Sequence, residues 1–195
     1  MYSRFIDTNH GAIASHYYSH YAEKRFYHNW DHVIKNDKNL ENLSVSYDIN
    51  LDFANMWHDA IYDEKPYKEK RSADTFLQLY TLFDTTSLDE MGFDVNLVYR
   101  YIIETEDHVS VNKDNLLVKA DLMGFMDDNE RAVNAELLYQ EAMALYPDMT
   151  EEMYYSNSID FLTKLKNRPG IWEPVIPGIE KNIEFLEQEK RKVKS

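Results

Sequence analysis

The sequence predicts an all-α fold, a single helical bundle of about seven to nine helices, and three observations carry that expectation. Apolar residues recur at spacings of three and four along almost the whole chain, as amphipathic helices require. Strand-like alternation is confined to Val45, Tyr47 and Ile49, a run short enough to belong to a loop. The 195 residues hold only five glycines and five prolines, with no Ser/Gly-rich linker, low-complexity tract or internal repeat. One domain spanning 1–195 is therefore expected, and a hydrophobic content of 44% is enough to fill one sizeable core.

The elements follow in order. Asn29 is a suitable N-cap for a helix through Val33, Ile34 and Leu40, and a second helix carries Phe53, Met56, Trp57, Ala60 and Ile61. Ser72 is expected to cap a third through Phe76, Leu77, Tyr80 and Phe83, and Asp94 a fourth through Val95, Val98, Tyr101, Ile102 and Thr105. Asp114 opens a fifth that Gly124 ends, and a sixth over about 129–145 stops before Pro147. Thr150, followed by Glu151 and Glu152, starts another, and the stretch after Pro177 closes on a basic last turn at 190–194 that suits the helix dipole.

Composition narrows the function classes. Cysteine is absent, so any metal must be held by histidine nitrogen and carboxylate oxygen, and a cytoplasmic location is expected. No run of about 18 apolar residues occurs, and residues 1–24 lack the apolar core of a secretory signal, so no membrane partner is expected. A net charge of −14 repels polyanions, which argues against duplex nucleic acid. It leaves room for a small phosphorylated compound, because a distant field is screened within about 8–10 Å at cellular salt. The oligomeric state is not fixed by these properties.

The informative feature is where histidines and acids fall within the helical pattern. His28 and His32 are four apart and stay close whether or not His28 lies inside the helix. His58 and Asp59 are adjacent in an apolar helix and point about 100° apart, so both reach one ion only where helices converge. A buried His-Asp pair is costly without a partner, and a divalent cation is the obvious one. Asp121 sits in the apolar run Leu117-Val118-Lys119-Ala120-Asp121-Leu122-Met123, and His108 follows the helix containing Thr105. His10, His16 and His20 are read as ordinary surface or core residues. The pattern is the order His…His-Asp…Asp over three helices, at intervals of 26 and 62 residues.

Six ordered segments then carry a resemblance. They are Tyr27-His28-Asn29-Trp30-Asp31-His32-Val33, Trp57-His58-Asp59-Ala60-Ile61-Tyr62-Asp63, Glu69-Lys70-Arg71-Ser72-Ala73, Ile103-Glu104-Thr105-Glu106-Asp107-His108, Lys119-Ala120-Asp121-Leu122, and Phe161-Leu162-Thr163-Lys164-Leu165-Lys166-Asn167-Arg168-Pro169-Gly170-Ile171-Trp172. Over about residues 20–175 the chain resembles a bacterial and phage family of metal-dependent phosphohydrolases of the HD superfamily. The resemblance implies an all-helical HD domain with a divalent metal on His32, His58, Asp59 and Asp121. Within that superfamily, further histidines such as His28 and His108 resemble the arrangement that builds a two-metal centre.

Roles follow as expectations. Metal-bound water attacks phosphorus, and Asp59 both ligates the metal and orients that water. Asp63 and Glu69, ahead of Asp107, are candidates for a further acid or base. Arg71, Lys119 and Arg168 are candidate phosphate clamps. The His/carboxylate donor set suits one or two ions of manganese, iron, cobalt, nickel or zinc. The expected substrate is a small phosphorylated compound, a nucleotide for preference. The competing readings are a di-iron HD-type oxygenase, which would use the same extra histidines, and a non-catalytic nucleotide-binding HD module.

Overall fold

A computed structural model describes residues 2–20, 22–43, 46–81, 86–111 and 114–193. Among them every regular element is helical: α1 (Asn9–Ser19), α2 (Trp30–Leu43), α3 (Ile49–Trp57), α4 (Lys68–Tyr80), α5 (Thr86–Asp89), α6 (Val95–Asp107), α7 (Leu116–Leu122), α8 (Arg131–Leu145), α9 (Glu151–Lys166) and α10 (Ile176–Val193). Short 3-10 turns lie at Ala22–Lys24, Met123–Met126 and Glu173–Val175. The all-α expectation holds, with ten α-helices among the described residues; α1, capped by Thr8, and the short α5 were not foreseen. Val45, Phe83 and Lys194, which entered the expectations above, lie outside the described residues.

The chain divides into two compact units, Met1–Asp121 and Leu122–Ser195. In the first, α3 is the central rod. Every one of its residues is buried, and it packs against α1, α2, α4 and α6, around a core that includes Val33, Leu40, Phe53, Trp57, Phe76, Ile102 and Leu117. A helix enclosed on all sides must satisfy its polar side chains internally. Asn55 does so by donating to the Val33 carbonyl at 3.1 Å, and Asn50 by donating to the Gly92 carbonyl and accepting from the Asp94 N–H at 2.7 Å.

Asp52 of α3 and Asp37 of α2 clasp the start of the chain. Asp37 accepts the N–H groups of Tyr2 (3.1 Å) and Ser3 (2.5 Å). Asp52 accepts the Ser3 hydroxyl, the Arg4 N–H (2.8 Å) and the Tyr47 hydroxyl (2.9 Å). The turn that follows runs so close to α1 that a Cβ on Gly11 would stand 2.0 Å from the Ile6 carbonyl oxygen.

Three helix boundaries differ from the sequence reading. α3 ends at Trp57 instead of continuing through Ala60 and Ile61; His58 is its C-cap, and the Ala60 N–H turns back to the Trp57 carbonyl at 3.1 Å. α4 begins at Lys68, four residues before Ser72, whose hydroxyl serves inside the helix as acceptor for the Ile61 N–H at 2.9 Å. α7 begins at Leu116, where the Asn115 side chain accepts the Leu117 N–H at 3.1 Å. Asn29 and Asp94 act as caps as expected: Asn29 accepts from Asp31 and His32, and Asp94 from Asn96 and Leu97.

In the second unit α9 packs along α10, and both α8 and α10 rest on the Met123–Met126 turn. Gly178 permits that approach, since a Cβ there would lie 2.5 Å from the Phe125 carbonyl oxygen. Thr150 caps α9 as expected, accepting from the Met153 N–H at 3.2 Å. No helix among the described residues is long and apolar enough to cross a membrane.

Candidate metal centre

Three segments deliver the donors: the first turn of α2 brings His32, the turn leaving α3 brings His58 and Asp59, and the last turn of α7 brings Asp121. His58 caps α3 with helical dihedrals and its N–H still bonds the Ala54 carbonyl, so the chain turns off just after it, at Asp59 and Ala60. His32 Nε2 stands 2.9 Å from Asp121 Oδ1 and 3.7 Å from Asp59 Oδ2, and His58 Nε2 stands 3.0 Å from the same Asp59 oxygen. His32, His58 and Asp121 form a group that can hold a metal ion, with donor atoms all within 4.8 Å of one another. Nitrogen and oxygen donors bound at about 2.0–2.2 Å around one ion stand about 3.0–3.5 Å apart, close to the spacing found.

His58 is the clearest test of whether these residues fit a cation. Its Nδ1 is paired with the Asn55 carbonyl at 2.8 Å, which fixes a proton on that nitrogen and turns Nε2 toward the carboxylates. Nε2 is buried and stands 3.0 Å from Asp59 Oδ2, within hydrogen-bond distance of that carboxylate. Burial opposes charge on this imidazole, but the carboxylates of Asp59 and Asp121 prevail and raise it to about 9. Burial likewise opposes charge on Asp59 and Asp121, yet the surrounding imidazoles hold both below the usual carboxylate range. Two buried carboxylates that stay ionised among imidazoles call for positive charge, and the donor set fits a divalent ion.

Around these four lies a second layer. Asn36, one turn beyond His32, is buried; its Nδ2 stands 3.2 Å from His32 Nε2 and donates to Asp121 Oδ1 at 3.3 Å. His108 caps α6 in the left-handed conformation (φ 53°), and this turn brings its Nε2 to 3.5 Å from Asp121 Oδ2. Asp121 thus offers its two oxygens to two different imidazoles. The His28 ring stacks on that of Tyr62 (centroids 4.1 Å apart) beside His32 (5.5 Å), near enough to Asp59 to help keep its carboxylate ionised.

The remaining expected residues scatter. Glu69, half-buried in the first turn of α4, has its carboxyl raised by burial and by the nearby charges of Asp59 and Glu106. Asp63 and Arg71 are paired with each other: Arg71 Nη1 and Nη2 donate to the Asp63 carboxylate at 3.0 and 2.5 Å, and the same guanidinium reaches the carbonyls of Lys65 and Pro66. Lys119 is half-buried two residues before Asp121 on α7, which places the two about 200° apart around the helix. Asp107 is exposed at the end of α6. Arg168 belongs to the second unit, in the turn after α9, where its N–H donates to the Leu165 carbonyl at 3.0 Å. Arg25, Asn36 and Asn55, which touch the ligand-bearing segments, were not singled out from sequence, because a lone arginine or asparagine in a polar stretch carries no spacing signal. No family model, curated protein or solved structure matches the chain.

Proposed function

We propose that the chain is a metal-dependent phosphohydrolase of the HD type, with His32, His58, Asp59 and Asp121 as ligands. The observation that supports this best is the convergence of that His…His-Asp…Asp order on one point, with His58 Nε2 3.0 Å from Asp59 Oδ2 and His32 Nε2 2.9 Å from Asp121 Oδ1. When bound, a divalent ion of manganese, iron, cobalt, nickel or zinc supplies water of lowered pKa and neutralises phosphoryl charge. Asp59 and Asp121 accept hydrogen bonds that orient the attacking water, and Asn36 steadies Asp121. Glu69, whose carboxyl is raised by burial and by the charge of Asp59, is the acid that protonates the leaving oxygen. Asp63 then serves to hold Arg71 and the 63–66 loop, and Arg71 serves that loop before any substrate.

The substrate class in this reading is a small phosphorylated compound, a nucleotide for preference, hydrolysed in the cytoplasm. The test is to purify the full chain without chelator, measure its metals, and assay phosphate release from a panel of nucleotides with manganese, cobalt, nickel or magnesium added. Metal-dependent release that Asp59→Ala abolishes supports the hydrolase. Bound metal without release from any compound overturns it in favour of a nucleotide-binding module. One observation favours a second reading: because Asp121 faces both His32 and His108, two ions can share it. Two irons per chain with oxygen consumption would make the protein an oxygenase instead.

A further inference from the structure

We infer that Arg25 is a positioning residue for the metal centre, its guanidinium setting the Asp59–Ala60 backbone so that the Asp59 carboxylate meets His58 and His32. The inference rests on the metal reading of the preceding subsection. Arg25 precedes α2 and is only 3% exposed. Removing a guanidinium from water is costly, so its partners must repay the loss in hydrogen bonds. Those partners are backbone oxygens: Nη1 donates to the Asp59 carbonyl at 3.0 Å and reaches the His28 carbonyl at 3.5 Å, while Nη2 donates to the Ala60 carbonyl at 2.9 Å. One planar fork therefore ties together the two segments that carry His28 and His32 on one side and His58 and Asp59 on the other.

The need for such a tie follows from the end of α3. The last carbonyls of a helix lack intrahelical partners, and here the ladder closes with the bond from the His58 N–H to the Ala54 carbonyl, so Asp59 and Ala60 lie just beyond it. The turn closes on the Ala60 N–H to Trp57 carbonyl bond, and the Asp59 and Ala60 carbonyls accept from Arg25. The rings of Tyr18 and Tyr62 flank the guanidinium, with its carbon 5.1 and 5.9 Å from their centroids, and limit its tilt. A lysine would keep the charge but supply a single point of donation in place of a rigid fork.

The experiment is a cobalt(II) titration of the full chain, read by the d–d absorption of the bound ion and by equilibrium dialysis, for wild type, Arg25→Lys, Arg25→Gln and Asn50→Ala. Far-UV circular dichroism and thermal melting are recorded for each. Arg25→Lys is expected to keep its helices while its cobalt affinity falls about 10–100-fold and its absorption spectrum changes, as loss of an outer-shell partner does. Asn50→Ala removes the Gly92 and Asp94 contacts of α3 and is expected to melt earlier with the wild-type spectrum and affinity. Arg25→Gln, neutral and shorter, serves if the lysine variant does not fold. A folded Arg25 variant with wild-type affinity and spectrum overturns the positioning role and leaves the metal reading intact. A wild type that takes up none of cobalt, manganese, iron, nickel or zinc overturns the metal reading, and this inference with it.

Discussion

A single hydrogen bond, from His58 Nδ1 to the Asn55 carbonyl, decides which imidazole nitrogen faces the site. Replacing His58 or Asp59 by Ala is expected to lower metal affinity by more than the about 10–100-fold that a lost outer-shell partner costs, measured by dialysis and elemental analysis. Wild-type affinity in either variant would remove that residue from the ligand set. The four converging residues were legible in the sequence because their order and the adjacency of His58 and Asp59 are linear properties. Arg25 was not, since its bond to the Asp59 carbonyl joins residues 34 apart and the acceptor is main chain. Asp63 carries a separate prediction. Its bonds with Arg71 hold it at about 2, against 3.8 in the unfolded chain. A depressed carboxyl stabilises the fold above its unfolded value, so this contribution is complete above about pH 4 and is lost as pH falls toward 2. Acid titration by circular dichroism should show Asp63→Asn less stable than wild type near neutrality, with the gap closing in acid; a gap that persists at the acid end would contradict the assignment.

At the scale of elements, apolar periodicity reports burial, whereas helix ends are set by hydrogen bonds. That is why Ala60, 1% exposed, looked like the continuation of α3 although the ladder closes at the His58 cap. Ser72 misled for the complementary reason: a serine before an apolar run signals a cap, but here its hydroxyl receives Ile61 from within α4. Asp94 and Thr150 were read correctly because each is a good capping residue next to its first helical turn. Asp94→Ala, which orphans the N–H groups of Asn96 and Leu97, is expected to cost about 1 kcal/mol in urea unfolding. Gly178→Ala tests the seat of α10 on the Met123–Met126 turn. A methyl 2.5 Å from the Phe125 carbonyl oxygen must displace backbone, and a loss of about 1–3 kcal/mol is expected; an unchanged melting temperature would show that the turn yields freely.

For the whole molecule, the all-α class was legible because helical spacing pervades the chain, while the division into two compact units falls at the end of α7 with no change of composition to announce it. Metal and stability are linked through the first unit. An ion that binds the folded site alone should raise stability by about 2.7 kcal/mol at 100 times its dissociation constant, so melting should move upward with added cobalt or manganese and back with chelator. No shift with a metal that dialysis shows to be bound would mean that the unfolded chain binds it equally well. The clasp at the start of the chain has its own consequence. Asp37 and Asp52 take up the N–H groups of Tyr2, Ser3 and Arg4 from positions 34 to 48 residues away, so these bonds exist only while α2 and α3 are both in place. Amides outside regular secondary structure ordinarily exchange with deuterium fast. These three should exchange only when the first unit opens as a body, making the outermost stretch of sequence a gauge of its most central helix.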